Sequence, residues 1–299
     1  MTSKASLIFN PSSGQGDPVE QLVTIRDILE PAINLDICPI HNKEIGAAEL
    51  VRRAIAEGAS MILVAGGDGT ISAAAEALMN TEIPLGIIPT GTANSFARAL
   101  GISSDITVAC QTILTGINRR VDIALCNGKP MVLLAGIGYE AESIEQAKRH
   151  LKKLFGVLAY IQGGIKQFWN LKAFETQIET ENQTMCLQSV AVTIANAAPV
   201  TSFLAHGAAG VILDDGLLDV TIVAPTNRTN ALFAAYHLLI TGFTGNTTNR
   251  NDIQHLRAKS VKVRTEPPQK VVLDGNLIET TPVEVNCIPG GLTVVVPSQ

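Results

Sequence analysis

The residues Gly66-Gly67-Asp68-Gly69-Thr70 follow the apolar run Met61-Ile62-Leu63-Val64-Ala65 and open into the alanine-rich segment Ile71 to Met79. A buried strand that ends in glycines and passes into a helix turns backbone N–H groups outward, where hydrogen bonds and the helix dipole hold an anion. Phosphate is the anion that suits such a loop. Asp68 lies inside it, and a carboxylate beside phosphates needs either a cation between them or a proton to accept from an attacking hydroxyl. The pattern points to nucleotide-dependent phosphoryl transfer. A second polar junction, Pro89-Thr90-Gly91-Thr92-Ala93-Asn94, follows the run Leu85 to Ile88, and a third, Asn10-Pro11-Ser12-Ser13-Gly14-Gln15-Gly16, ends the first apolar run. Each junction alone is ordinary turn punctuation. If the three strands are neighbours, the hydroxyls of Ser13, Thr70 and Thr92 and the amides of Asn10 and Asn94 line one rim and form a cradle for a triphosphate.

The elements that must position these loops alternate in period. Strands are predicted over 5–9, 35–40, 61–65 and 85–88, and helices over 19–29, 45–57, 71–79, 93–100 and 106–114. Alternation of this kind predicts a doubly wound parallel sheet with helices on both faces and ligands at the carboxyl ends of its strands. After about Arg120 the rhythm changes. Strands are predicted over 121–126 and 131–135, helices over roughly 140–169, and then strands over 173–179, 189–195, 217–223, 260–264, 270–273, 283–287 and 292–296. One amphipathic segment, 230–241, interrupts them. Strand following strand without crossover helices predicts a larger, mainly antiparallel β-rich part. The boundary is placed near residue 125, giving parts 1–125 and 126–289, with the cleft between them as the expected active site.

Composition narrows the function classes. With 299 residues and 46% hydrophobic content the chain is long and apolar enough for two cores and is not disordered. No apolar run reaches the roughly 20 residues that span a bilayer, and the start of the chain lacks a signal-peptide pattern, so a cytoplasmic protein is expected. Net charge is −5, which argues against nucleic acid as a partner. The five cysteines are scattered without metal-ligand spacing and read as reduced, buried thiols. The five histidines form no cluster and read as structural or surface residues. The apolar content also suggests a homodimer.

The motifs Asn10-Pro11 with Ser13-Gly14, Gly66 to Thr70, Pro89 to Asn94 with Phe96-Ala97-Arg98, Asp214-Asp215-Gly216-Leu217-Leu218-Asp219, and Asp274-Gly275 together resemble the diacylglycerol kinase catalytic family. That family includes bacterial soluble lipid kinases and the sphingosine and ceramide kinases, and the resemblance spans nearly the whole chain. It implies an N-terminal nucleotide-binding domain, a β-rich lipid-binding domain, and a last strand, 290–299, that returns to the first. It further implies ATP held by Asn10, Gly66, Gly67, Gly69, Thr70, Thr92 and Asn94, and Mg²⁺ organised by Asp68 and Asp122. A structural magnesium site is implied at Asp215 with the carbonyls of Ile212 and Leu217. Without the resemblance, Asp214-Asp215-Gly216 reads as a turn before a strand, and Asp122 as a satisfied polar residue between buried neighbours.

Three positions depart from the family pattern. Asp274-Gly275-Asn276 stands where bacterial members usually show Asp-Gly-Glu, the glutamate being the proposed general base. Asp274, Glu279 or Asp68 are the residues that could replace it, so Asp68, Asp274 and Asn276 are the candidate catalytic residues. Ile40 and His41 lie where many members place a nucleotide-contacting threonine, and Ser95 stands where many have aspartate. The expected activity is ATP- and Mg²⁺-dependent phosphorylation of a membrane-lipid hydroxyl such as that of diacylglycerol. The rivals are a weakened or inactive lipid- or nucleotide-binding member and a soluble NAD or sugar kinase. Between Lys148 and Lys172 six basic residues and no acidic ones are interleaved with Leu151, Leu154, Phe155, Leu158, Tyr160, Phe168 and Trp169. That stretch reads as a surface for anionic headgroups, placing the protein peripherally at the membrane, or equally as a helix pair with one core face.

Overall fold

The computed structural model describes residues 4–14, 16–41, 45–138, 173–198, 211–225, 250 and 252–298. The chain divides into two compact units, residues 1–123 with 288–299, and residues 124–287. In the first, strands β1 (Lys4–Phe9), β2 (Asn34–Pro39), β3 (Met61–Gly66) and β4 (Leu85–Pro89) alternate with helices α1 (Pro18–Leu29), α2 (Ala47–Ala56) and α3 (Asp68–Leu78). Two further helices follow, α4 (Ser95–Ala99) and α5 (Ile106–Thr115). The strands are parallel in the order β2-β1-β3-β4. Helix α1 packs beside α5 and α2 beside α3, as right-handed crossovers on opposite faces of the sheet require.

Burial explains why these segments become strands. Ile62 to Gly66 and all of Leu85 to Pro89 are buried, because helices cover both faces of a parallel sheet and leave no solvent side to demand alternation. Helix starts are set locally. Asp17 accepts from the Val19 N–H at 2.8 Å ahead of Pro18, and Asp105 accepts from the Val108 N–H at 3.0 Å.

The chain passes between the units within β5 (Ile117–Cys126) and again within β16 (Val283–Val296). The end of β16 pairs parallel to β4 through Val294 and Leu85, while its beginning pairs antiparallel to β13 (Ser260–Glu266). In the second unit, β13 continues to β8 (Phe174–Thr180) and β9 (Thr184–Ser189), and β5 pairs with β6 (Lys129–Met131). A six-stranded sheet runs β12 (Ile253–Ala258), β11 (Leu218–Val223), β10 (Ala191–Ala195), β7 (Leu134–Gly138), β14 (Lys270–Leu273) and β15 (Asn276–Thr280). Ile178, Val261, Val263 and Val285 from one sheet and Ile137, Val192, Ile194, Val220 and Ile222 from the other share one core. The two inward faces thus form a β-sandwich. The expected α/β part followed by a mainly antiparallel part is what the structure shows.

Some elements differ from the sequence expectation. The predicted strand 131–135 is two strands, because Val132 and Leu133 form a turn whose apolar side chains are nonetheless buried. The predicted strands 283–287 and 292–296 are one strand, β16. Helix α3 begins at Asp68, three residues earlier than the apolar period suggests. The basic and aromatic stretch 148–172, the helices expected over 140–169 and the amphipathic segment 230–241 lie outside the described residues. No helix among the described residues is long and apolar enough to cross a membrane.

Candidate active site

Register brings the three polar junctions of the first unit to one level. Phe9 pairs with Ala65 and Gly66 with Pro89, so the loops after β1, β3 and β4 leave the sheet side by side. The strand order reverses between β1 and β3, the position where open α/β sheets bind ligands. The loops are laced together. Asn10 N–H donates to the Ala65 carbonyl at 2.9 Å, and Thr90 N–H to the Gly66 carbonyl at 3.1 Å. The Asn10 Nδ2 group donates to Thr70 Oγ1 at 2.9 Å. Ser13 Oγ donates to the Asn10 carbonyl at 2.8 Å and lies 2.6 Å from Thr90 Oγ1, so the Thr90 hydroxyl is the donor in that pair.

Close backbone approach completes the lacing. A Cβ on Gly91 would lie 2.5 Å from Gly67 Cα, and one on Gly14, at φ 80°, would lie 1.9 Å from the Thr90 carbonyl oxygen. Neither position accepts a side chain. Gly69 is exposed with open space where a side chain would stand. Gly67 caps α3 without a side-chain hydrogen bond, which leaves the helix start facing the rim with the polarity that suits an anion. Gly66, expected to face phosphate, is instead a buried packing residue, since a Cβ there would strike the Thr70 side chain at 2.7 Å.

Asp68 is the first residue of α3, and its Oδ1 accepts from the Phe96 N–H of α4 at 3.2 Å. Oδ2 has no hydrogen-bond partner among the described residues. This carboxylate therefore ties two loops together while keeping one oxygen for a ligand, cation or proton. Asn94 adopts the left-handed conformation and is 5% exposed, donating through Nδ2 to the Gly91 carbonyl at 3.0 Å. Its Oδ1 is buried without a hydrogen-bond partner among the described residues. Thr92 is exposed at the tip of its loop, and Thr70 is buried beneath, its hydroxyl committed to Asn10.

Other expected site residues take structural positions. Asp122, 3% exposed on β5, accepts from the Gly290 N–H at 2.7 Å while Arg120 Nε donates to the Gly290 carbonyl at 3.0 Å. These two side chains of β5 hold one residue of β16 from its two flanking peptides. Asp274 is the most heavily bonded. Its Oδ1 accepts from the N–H groups of Leu133 and Leu134 at 2.9 and 3.0 Å, and its Oδ2 from that of Val132 at 2.9 Å. A carboxylate with three backbone donors holds the turn between β6 and β7 and has no oxygen set aside for a substrate proton. Glu279 accepts from Asn127 Nδ2 at 3.2 Å and lies 3.8 Å from Lys129 Nζ. Asn276 is exposed at the start of β15.

The residues expected to hold the structural magnesium do not fit an ion. Asp215 Oδ1 accepts from the Leu217 N–H at 3.1 Å, and Oδ2 accepts from the guanidinium of Arg257. Among the described residues no group of three or more His, Cys, Asp or Glu side chains is placed to hold a metal. Burial pushes the Cys110 thiol up to about 12 and that of Cys126 up to about 11, so neither is a ready nucleophile. Cys186 is exposed on the edge strand β9, which corrects the expectation that the thiols are buried. Sequence reasoning assigned no role to Thr90 or Arg257, and the only local signal was a small hydroxyl residue directly after a strand for the first.

An α/β unit whose polar strand ends converge at one rim, together with a β-sandwich, defines the class of protein. Residues 4–126 match the diacylglycerol kinase catalytic domain, and residues 134–296 match the YegS C-terminal NAD kinase beta sandwich-like domain. The chain belongs to the family that joins a diacylglycerol kinase catalytic domain to a YegS-like C-terminal domain. It is 46% identical over 307 residues to an uncharacterized protein of Synechocystis sp., covering 99% of this chain and 71% of that one. A diacylglycerol kinase of Bacillus subtilis is 29% identical over 301 residues, covering 99% of this chain and 97% of the relative. A crystal structure of a diacylglycerol kinase from Bacillus anthracis str. Sterne superposes with a TM-score of 0.75 at 27% identity, covering 98% of this chain and 97% of that one.

Two outcomes follow from this geometry. Gly91→Ala is expected to leave the circular dichroism spectrum unchanged but to weaken nucleotide binding by about tenfold or more in calorimetric titration, because the new methyl group parts the second and third loops. Asp274→Asn is expected to destabilise the protein by about 2–4 kcal/mol in urea unfolding. A catalytic base would instead lose turnover in that variant with stability intact.

Proposed function

We propose that the protein transfers the γ-phosphoryl group of ATP to a hydroxyl of a membrane lipid, with diacylglycerol or a related glycerolipid as acceptor. The observation that carries this reading is the laced rim of three strand-to-helix junctions, with Asp68 bridging two of them and keeping one oxygen open. Gly67, Gly69 and the start of α3 would meet the phosphates through backbone N–H groups, with Thr92 at the rim. Asn94 Oδ1, buried and without a partner among the described residues, would accept from a donor on the nucleotide. Because the transition state of such a transfer is loose, holding the phosphates in line contributes more than covalent help from the protein.

Asp68 is the residue here that fits magnesium, which when bound would neutralise charge on the phosphate oxygens. Asp122, already bonded to Gly290, would act on the site through the position of β16. The attacking hydroxyl must lose its proton, and the amide of Asn276 cannot accept one. With Asp274 held by three N–H donors, Asp68 and Glu279 are the carboxylates left for that task. The names of the Bacillus relatives support a lipid acceptor. Asn276 itself favours a second reading, a member that binds its ligands and transfers slowly or not at all, since losing a base costs about 10² to 10⁴ in rate.

The test is transfer of label from γ-labelled ATP to a lipid panel in mixed micelles with Mg²⁺. Labelled glycerolipid is expected from the wild type, a loss of about 10²-fold or more from Asp68→Ala, and a gain from Asn276→Glu. Product from Asn276→Glu but none from the wild type would establish the binding reading, and label on a water-soluble acceptor alone would sink both. The stretch from Lys148 to Lys172 supports a peripheral membrane contact. Replacing Lys148, Arg149, Lys152 and Lys153 with glutamine is expected to lower sedimentation with anionic vesicles by about tenfold or more, each basic residue contributing about 1 kcal/mol near the surface. Unchanged sedimentation would remove the membrane contact from the proposal.

A further inference from the structure

The loop before β11 contains a charge arrangement that the family resemblance does not anticipate. Gly216, at φ 74°, turns the chain so that Asp215 folds back over the Leu217 N–H. On the neighbouring strand, Arg257 stands directly opposite Asp219 in the β11–β12 ladder. Its Nη2 donates to Asp215 Oδ2, and its Nε lies 3.2 Å from Asp219 Oδ1. That same Asp219 oxygen is 2.9 Å from Nε2 of His255. Asp219 is 1% exposed, so its charge needs a partner within the protein. One guanidinium therefore serves two carboxylates, one in the loop and one in the strand.

We propose that Arg257 is the built-in cation of this loop and stands where the resemblance implies magnesium, so that the second unit keeps Asp215 in place without a divalent ion. A metal and a guanidinium cannot share the Asp215 carboxylate without close approach of like charges. A small divalent ion also demands short, regular oxygen coordination, and here both Asp215 oxygens already have N–H donors. The arginine is tethered by the register of two paired strands, so it remains at the loop at any metal concentration. Any metal requirement of the protein then belongs to the nucleotide-binding unit alone.

The test uses the full chain without nucleotide and reads stability and metal content, so it stands whether or not the kinase reading holds. Thermal unfolding of the wild type is expected to shift by less than about 1 °C between EDTA and excess Mg²⁺ or Ca²⁺. Metal analysis of dialysed protein is expected to find no retained divalent ion. Arg257→Gln is expected to unfold several degrees lower in EDTA, about 3–6 °C, and to regain part of that loss when divalent ions are added. Asp215→Asn placed on top of Arg257→Gln is expected to abolish the recovery. A wild-type midpoint that falls in EDTA, or one equivalent of metal that Asp215→Asn removes, would overturn the proposal. So would an Arg257→Gln midpoint that divalent ions leave unmoved. Should Arg257→Gln fail to fold, the wild-type unfolding and metal analysis decide the matter alone.

Discussion

Three parallel strands must end at the same height for this protein to have a site at all. The pairing of Phe9 with Ala65 and of Gly66 with Pro89 sets that height, and the lacing above it sets the distance between loops. Thr90 reaches Ser13, Asn10 reaches Thr70, and Gly91 touches Gly67. These hydrogen bonds satisfy side chains that would otherwise compete with a ligand for the outward N–H groups. Order is thus established before a nucleotide arrives, which lowers the entropy cost of binding it. Asp68 fits the same plan, spending one oxygen on the Phe96 N–H.

The second unit applies the same device to different ends. Asp274 gathers three consecutive N–H groups of a turn, and Arg257 gathers two carboxylates. In each case a charged side chain meets its opposite, or a set of aligned dipoles, and at Asp219 it does so away from solvent. Replacing one partner leaves the other uncompensated, and that penalty exceeds the net value of the bond itself. Asp274 and Asp215 sit in conspicuous motifs, and these contacts give each a structural role in the second unit.

The alternation of periods 3.6 and 2 made the first unit legible, since β1, β3 and β4 are short apolar runs and α1 and α5 are capped by Asp17 and Asp105. The β-rich unit was legible in class but less so in detail. Strand β15 was missed because Asn276-Leu277-Ile278-Glu279-Thr280 is an exposed edge without an apolar face. The turn at Val132-Leu133 was missed because its side chains are as buried as those of a strand. Among site residues, the glycine loops and Asp68 were readable from spacing. The roles of Asp274, Asp122 and Arg257 were not, since their partners lie at Val132 to Leu134, Gly290, and Asp215 with Asp219. No local pattern reports a partner so far away in sequence.

The central claim is that the junctions after β1, β3 and β4 together hold a triphosphate. Hydrogen exchange of the full chain, with and without ATP and Mg²⁺, reads this directly. The account predicts that added nucleotide slows exchange in all three segments at once, within 10–14, 67–70 and 90–94. Protection confined to one junction, or none in any of them at saturating nucleotide, would contradict it.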